Sequence, residues 1–139
     1  MKRTYLNPDG VPNWSSLFSQ AVSIQAGDST TVYVSGQVGV TEDQVLWGDG
    51  SLSAQAQRAL HNLSLVLADA GCSIEHVTKL SVYVTGYKPE HAAIVGSAIR
   101  AHFPEGRLPA LSLLGVQALA RPEFAVEIEA IAVMSTSKV

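Results

Sequence analysis

The most apolar stretch of this chain reads Ala125-Val126-Glu127-Ile128-Glu129-Ala130-Ile131-Ala132-Val133. Alternate residues of a strand point to opposite faces of its sheet, and here both faces are largely apolar. One face of the sheet can be covered by helices of the same chain. The other face would carry Ile128, Ala130 and Ala132, or alternatively Val126, Ile131 and Val133. That face also needs a cover, and a second copy of the chain is a candidate.

The rest of the sequence supplies further strands and two helices. Apolar residues recur at intervals of three and four from Leu52 to Ala70, which predicts an amphipathic helix that Ser51 or Ser53 caps and Gly71 ends. A second helix is predicted at about 89–103, where Pro89 suits a first turn. Strands are predicted near Tyr5 and at 17–24, 31–35, 77–85, 110–119 and 124–134, with a loop at 41–50.

Alternation inside the first long strand places Phe18, Gln20, Val22 and Ile24 on one face. The full order of elements is strand, strand, helix, strand, helix, strand, strand after the short strand near Tyr5. It predicts a single α+β domain over 1–139, with both helices on one face of a mixed sheet.

Composition limits the classes of function. Hydrophobic residues make up 47% and charged residues 15% of the 139 residues. Such a chain has either a tightly packed monomer core or a face buried against another subunit, and composition alone does not separate these two interpretations. The net charge of -3 provides no basic field for phosphates, which makes a nucleic-acid partner an unfavoured prediction.

Motifs for cofactors, metals and membranes are not found in the sequence. The four histidines, at 61, 76, 91 and 102, form no HxxxH or HExxH pattern, and no phosphate-binding glycine loop is present, so we expect no metal and no cofactor. The single cysteine, Cys72, fits a reducing compartment. With no signal peptide and no run of about 18 apolar residues, the sequence predicts a cytoplasmic protein without a membrane span.

Two carboxylates inside the apolar stretch are the first candidates for chemistry. Glu127 and Glu129 are two residues apart, so they point to the same face of their strand. A carboxylate in such surroundings needs a partner or a cleft. Either the pair serves acid–base chemistry or ligand binding, or it forms structural contacts at a sheet edge or subunit boundary.

Four segments, taken together, resemble the RidA/YjgF family, also called the L-PSP family. They read VYVSGQV at 32–38, AQAQRALHNL at 54–63 with Ala70-Gly71 following, VTKLSVYV at 77–84, and VEIEAIAV at 126–133. The segments occur in the family's order and spacing, and the match covers nearly the whole chain from about residue 16.

This resemblance implies a chorismate-mutase-like α+β fold and a homotrimer whose sheets form a central barrel. It also implies clefts between neighbouring subunits that bind a small molecule. Active members of the family hydrolyse reactive enamines and imines to ketoacids and ammonia. A strand arginine holds the substrate carboxylate, and a glutamate of the last strand orients water. Some relatives have been described as ribonucleases or translation inhibitors.

The family's site residues transfer only in part. Glu127 matches the glutamate, which makes it the predicted catalytic residue, and Ser35 and Gly36 match a serine-glycine whose backbone lines the cleft. Phe18 stands where the family has a cleft tyrosine, and Gly96 stands near the position of an asparagine from the neighbouring subunit.

The family's Pro-Ala-Arg-Ser reads Pro109-Ala110-Leu111-Ser112 here, so this chain resembles a divergent member without the carboxylate-holding arginine. Leu111 and Ser112 are therefore predicted at the substrate-binding site. Arg107 is about 13 Å away along a strand, too far to substitute easily. Arg121, in the loop before the last strand, is the other cation whose reach the sequence leaves open.

A carboxylate buried without its arginine would be costly, so the sequence predicts a neutral or weakly charged ligand. The leading hypothesis is a RidA-like protein that binds a small organic molecule and hydrolyses an imine or enamine, but not by the standard 2-iminoacid reaction. Whether it is an enzyme stays open. The alternatives are a metabolite-binding module without catalysis and, less favoured, a ribonuclease.

Overall fold

The computed structural model describes residues 1–136. Its strands are β1 (Lys2–Leu6), β2 (Ala21–Ala26), β3 (Ser29–Val38), β4 (Val77–Thr85), β5 (Ala110–Val116) and β6 (Val126–Ser135). Its α-helices are α1 (Leu52–Asp69) and α2 (His91–His102), and a short 3-10 turn at Ile74–His76 precedes β4. This is the predicted order of elements. The predicted single domain over 1–139 extends beyond the described residues at its last three positions.

Helix α1 begins and ends where its sequence indicates. The hydroxyl of Ser51 accepts a hydrogen bond from the amide of Ala54 at 3.1 Å, which satisfies one of the free amides of the first turn. Gly71 follows the helix with a φ of +78°, a conformation that glycine adopts at little cost. The apolar face between these ends is buried, and its fully covered members include Leu60, Leu63 and Leu67.

The six strands form one sheet in the order β1-β2-β3-β6-β4-β5. Strand β5 runs parallel to β4, whereas the other neighbours are antiparallel, so the sheet is mixed as predicted. Strand β6 lies in the middle, between β3 and β4.

Both helices lie on one face of the sheet, since α1 packs on β3 and β6 and α2 packs on α1. Under them, β6 buries Val126, Ile128, Ala130 and Ala132. Ile131 and Val133 lie on the opposite face and remain 36% and 42% exposed. The grouping of Val126 with these two residues was therefore wrong, because five- and seven-residue separations place them on opposite sides of a strand.

The predicted strand at 17–24 begins too early. The backbone amides of Leu17 and Phe18 both donate to the carbonyl of Trp14, at 2.8 and 3.0 Å, so these residues form a turn, and β2 begins only at Ala21. The Asn13 side chain supports the turn by accepting from the Ser15 amide at 3.0 Å. The alternating pattern of residues 17–20 therefore does not reflect a strand.

Strand β3 is longer than predicted and continues through Gly36 to Val38. The pairing between β3 and β6 shifts register between Val34 and Gln37, which marks a β-bulge around Gly36. Other boundaries differ by a few residues: α2 begins at His91 instead of 89, and β5 ends at Val116 instead of 119.

No helix within residues 1–136 is both long and apolar enough to cross a membrane. Cys72 is a buried free thiol. The cytoplasmic location remains a prediction.

Candidate functional site

A cavity of about 230 Å³ lies where the bulged end of β3 meets β6 and two loops. Its walls are mostly apolar and carry two ionisable groups, one acidic and one basic. The lining residues are Trp14, Leu17, Phe18, Gly36, Val38, Ala120, Arg121, Phe124 and Glu127. Three residues predicted at the site, Phe18, Gly36 and Glu127, are thus brought to one cavity although they are far apart in the sequence.

Glu127 supplies the acidic group. It lies opposite Val38 of β3 and Tyr83 of β4, and its side chain is half-buried. Burial, and next to it the negative charge of Glu129, raise the pKa of Glu127 above its usual value of 4.5. None of the described residues donates a hydrogen bond to its carboxyl group. Such a carboxyl group keeps its proton to a higher pH than an exposed glutamate does, which suits a role in proton transfer.

Gly36 makes room for this carboxyl group. A Cβ atom on Gly36 would lie 2.5 Å from Cδ and 2.6 Å from Oε1 of Glu127, closer than real atoms approach. Glycine is therefore needed here because of the close approach of the backbone to a side chain, and not because of an unusual φ.

The segment that carries Phe18 is tied to β3 by polar contacts. The hydroxyl of Ser35 donates to the carbonyl of Ser19 at 2.6 Å, and Nε2 of Gln37 donates to Oε1 of Gln20 at 2.7 Å. Phe18 contacts the Trp14 ring with centroids 5.7 Å apart. Ser35 thus stands beside the cavity and holds its aromatic wall, without being part of the lining.

Arg121 supplies the basic group, and the sequence had left its position open. Its Nη2 donates to Oε1 of Gln44 at 2.5 Å, and its guanidinium carbon lies 5.7 Å from the centre of the Phe124 ring. No carboxylate pairs with it in the described part of the chain. The expectation of a neutral ligand assumed a cavity without a cation, and this cavity has one.

Buried amide side chains hold the loops that form the cavity, and sequence reasoning missed them. The Nε2 of Gln55 donates to the carbonyls of Gly50 and Glu123 at 2.8 and 3.0 Å, while its Oε1 accepts from the Ala125 amide at 2.8 Å. Asn62 donates to two carbonyls at the end of β3, those of Val38 and Val40, at 3.1 and 2.9 Å. A polar residue on the apolar face of α1 was the available signal.

Leu111 and Ser112 lie elsewhere in the chain. Leu111 pairs with Leu80, which pairs with Ala130, so it is two strands across and three positions along from Glu127. That places it on the order of 14 Å away, on the face where Leu80 is buried. Their membership of the site remains a prediction that requires a neighbouring subunit.

The face of the sheet that points away from the helices carries a separate group of polar contacts. Ser112 accepts a hydrogen bond from Nζ of Lys79 at 2.7 Å, and Glu129 accepts one from the Tyr83 hydroxyl at 2.5 Å. Glu127 and Glu129 share a face, as predicted, but only Glu127 lines the cavity. Glu129, besides its contact with Tyr83, lines a different cavity of about 180 Å³ on the open face of the sheet, so the two carboxylates face separate cavities.

Arg107 does not line the cavity and lies exposed in the loop before β5. Among residues 1–136, no group of three or more histidine, cysteine, aspartate or glutamate side chains is arranged to hold a metal ion.

Comparison with known proteins places this chain and its fold in a family. The family model described as endoribonuclease L-PSP matches residues 12–134. Protein DfrA of Myxococcus xanthus is 32% identical over 133 residues, which is 96% of this chain and 97% of that protein. The 2-iminobutanoate/2-iminopropanoate deaminase of the mouse is 36% identical over 116 residues, covering 84% of this chain and 80% of the enzyme.

Solved structures give the same result. A putative endoribonuclease from Thermotoga maritima superposes with a TM-score of 0.81 at 30% identity, covering 97% of this chain and 99% of that one. A Rid-family protein of unknown function from Yersinia pestis superposes with a TM-score of 0.83 at 25% identity, covering 96% and 100%. With its mixed sheet, its two helices and the matched family model, this chain belongs to the RidA/YjgF (L-PSP) family.

Proposed function

We propose that this protein hydrolyses the C=N bond of a small imine, or of the enamine in equilibrium with it, in the cavity lined by Glu127. Water adds its oxygen to the imine carbon, and the carbinolamine that forms then loses its nitrogen as ammonia and leaves a ketone or ketoacid. The observation that carries the proposal is a half-buried carboxyl group with a raised pKa, facing a mostly apolar cavity.

Glu127 would handle the protons of this reaction. As a carboxylate it accepts a proton from the attacking water, and as the acid it returns that proton to the departing nitrogen. A pKa above the usual value brings the two forms closer to balance at neutral pH. The aromatic and aliphatic walls would limit the entry of additional water and pack against the substrate.

The proposed substrates include anionic imines. The sequence argument against 2-imino acids depended on a cavity without a cation, and Arg121 lines the cavity. The matched mouse enzyme is named for 2-iminobutanoate and 2-iminopropanoate. These compounds are therefore the first substrates to test, together with neutral imines.

The test is an imine-hydrolysis assay in which enamines are generated in situ from several amino acids. Wild type is compared with Glu127→Gln and with Glu123→Gln, a control at an exposed carboxylate that does not line the cavity. We expect Glu127→Gln to lower kcat by roughly 100-fold or more, as for loss of a general base, and Glu123→Gln to match wild type. Full turnover by Glu127→Gln would remove Glu127 from the chemistry.

We also propose that the functional unit is a homotrimer. The uncovered sheet face presents Tyr33, Ile131 and Val133 to solvent, all more than a third exposed. Leu111 and Ser112 cannot take part in the Glu127 cavity of their own chain at the distance set by the strand register. A neighbouring subunit would both cover the apolar face and bring such residues to the cavity.

A ligand-binding module without catalysis is the alternative reading of the same cavity. Binding of a small molecule in calorimetry, with no product formed over hours, would favour that alternative. The family description also mentions endoribonucleases, but the net charge of -3 offers little attraction to a phosphate backbone.

A further inference from the structure

The loop that contacts Arg121 has a residue in an unfavourable backbone conformation. Gln44 has a φ of +66°, in the left-handed region, which residues other than glycine, asparagine and aspartate rarely adopt. It is the non-glycine residue with positive φ in the described part of the chain. Such conformations persist where the surroundings enforce them, and they cluster at functional sites.

The surrounding loop enforces this conformation. The Gln44 amide donates to the Thr41 carbonyl at 2.9 Å, and the Thr41 amide donates to the Val45 carbonyl at 2.8 Å. Val40 and Leu46 bridge the two sides of the loop. This is a tight hairpin turn followed by one left-handed residue, a position at which glycine is the favoured choice. The backbone alone therefore gives no reason for glutamine.

The side chain of Gln44 does give a reason. Its Oε1 accepts the hydrogen bond from Nη2 of Arg121, which is 77 residues later in the chain. The contact fixes one edge of the guanidinium at the cavity wall while leaving its charge uncompensated, because an amide is neutral. Phe124 supports the guanidinium from the side, again without a negative charge. Arg121 is thus oriented but not neutralised.

Arg121 and Glu127 also do not neutralise each other. Both line the cavity, yet no ion pair joins them. The raised pKa of Glu127 has burial and Glu129 as its causes, with no contribution from Arg121. A cavity with an acid at one part of its wall and a separate, unpaired cation at another is suited to a ligand that has a polar reaction centre and an anionic group.

We propose that Arg121 is the anion-binding residue of the cavity and that Gln44 is its positioning residue, retained in a left-handed conformation because its amide orients the guanidinium. The inference rests on the Glu127 cavity of the proposed function being a ligand site, but not on hydrolysis. The ligand class is a small carbonyl compound or imine that carries a carboxylate.

Binding of two matched probes tests the proposal by calorimetry. The probes are 2-oxobutanoate, the product expected from one imine named for the relatives, and 2-oxobutanamide, which lacks the charge. Wild type should prefer the anionic probe by roughly 10- to 100-fold, as expected for one charge-assisted hydrogen bond. Arg121→Gln should abolish the preference, whereas Arg107→Gln, an exposed arginine outside the cavity, should keep it.

Gln44→Gly separates a positioning role from a structural one. Glycine suits the left-handed turn, so the Tm should be equal to or higher than that of wild type. If Gln44 positions Arg121, the preference for 2-oxobutanoate falls at least several-fold in this stable variant. A retained preference would overturn the role of Gln44, and a wild type that does not prefer the anion, or binds neither probe, would overturn the proposal.

The binding test is independent of turnover. A wild type that prefers 2-oxobutanoate but hydrolyses no imine supports the anion site and contradicts the proposed hydrolysis. Conversely, hydrolysis of neutral and anionic imines at equal kcat/KM would support the proposed hydrolysis and would overturn the anion site.

Discussion

At the scale of single residues, Gly36 and Glu127 occupy the same small space at the cavity wall. The glycine has no side chain where a Cβ would overlap the carboxyl group, and the carboxyl group is half-buried as a result. Burial raises its pKa, so the missing side chain at one position helps set the acid–base behaviour of another.

Gly36→Ala is expected to leave the protein folded but to displace the Glu127 carboxyl group. The new Cβ meets the end of a flexible side chain, which can rotate away. In the imine-hydrolysis assay we expect a loss of roughly 100-fold in kcat, comparable to loss of the general base. Gly39→Ala is the matched control for an added Cβ atom that overlaps a neighbouring residue other than Glu127. Its Cβ would lie 2.5 Å from Cα of Gln55, so we expect a loss of about 1–3 kcal/mol of stability in urea unfolding. Wild-type turnover by Gly36→Ala would contradict the importance of this geometry.

Glu127→Gln is expected to stabilise the fold at neutral pH. The folded-state pKa of Glu127 is raised, so the folded state binds more protons than the unfolded state as the pH rises from the usual value of 4.5 to the folded value. Ionisation of Glu127 therefore lowers the free energy of unfolding across that pH range. Above the folded-state pKa this loss of stability is complete. Urea unfolding should show the variant more stable than wild type at pH 7, with the difference disappearing below pH 4.5. A variant less stable at pH 7 would mean that the fold favours the carboxylate.

At the scale of elements, α1 both covers the sheet and organises the cavity loops. Its apolar face packs against β3 and β6, while Gln55 and Asn62 on that face bond to backbone groups of three different segments. Side chains of the helix thus supply hydrogen-bond partners to backbone groups in loops, which have no such partners from regular secondary structure.

Gln55→Ala is expected to destabilise the protein by about 1–3 kcal/mol, because it leaves partly buried backbone groups of Gly50, Glu123 and Ala125 without their side-chain partner. Gln57, two residues after Gln55 on the same helix, is exposed and serves as the control. Gln57→Ala should change stability by no more than about 0.5 kcal/mol. Equal effects of the two substitutions in urea unfolding would show that the buried network contributes nothing specific.

At the scale of the whole molecule, the sheet is covered on one side only. The open face combines exposed aromatic and aliphatic residues with the contacts of Lys79 to Ser112 and Tyr83 to Glu129. A sheet face of this kind is a candidate subunit interface, and the proposed trimer would bury it.

Sedimentation equilibrium should give three times the chain mass for wild type. Ile131→Asp places a charge on the open sheet face and should shift the protein toward monomers, since a buried unpaired carboxylate is costly. Val45→Asp makes the same change at a position 60% exposed in the loop 41–50, and it should leave the trimer intact. A monomeric wild type would reject the trimer, and with it the participation of Leu111 and Ser112 in the Glu127 cavity.

Local sequence patterns determined most of the fold: the order of elements, the ends of α1 and the shared face of Glu127 and Glu129 follow from periodicity and capping residues that act over a few positions. Local patterns misassigned Leu17 and Phe18, because a turn held by Trp14 and a strand can have the same alternation. The contact of Gln44 with Arg121 and the bonds of Gln55 to the loop before β6 were decided only by the tertiary structure. They join residues about 70 or more positions apart, and such contacts exist only once β3, α1 and β6 have packed together.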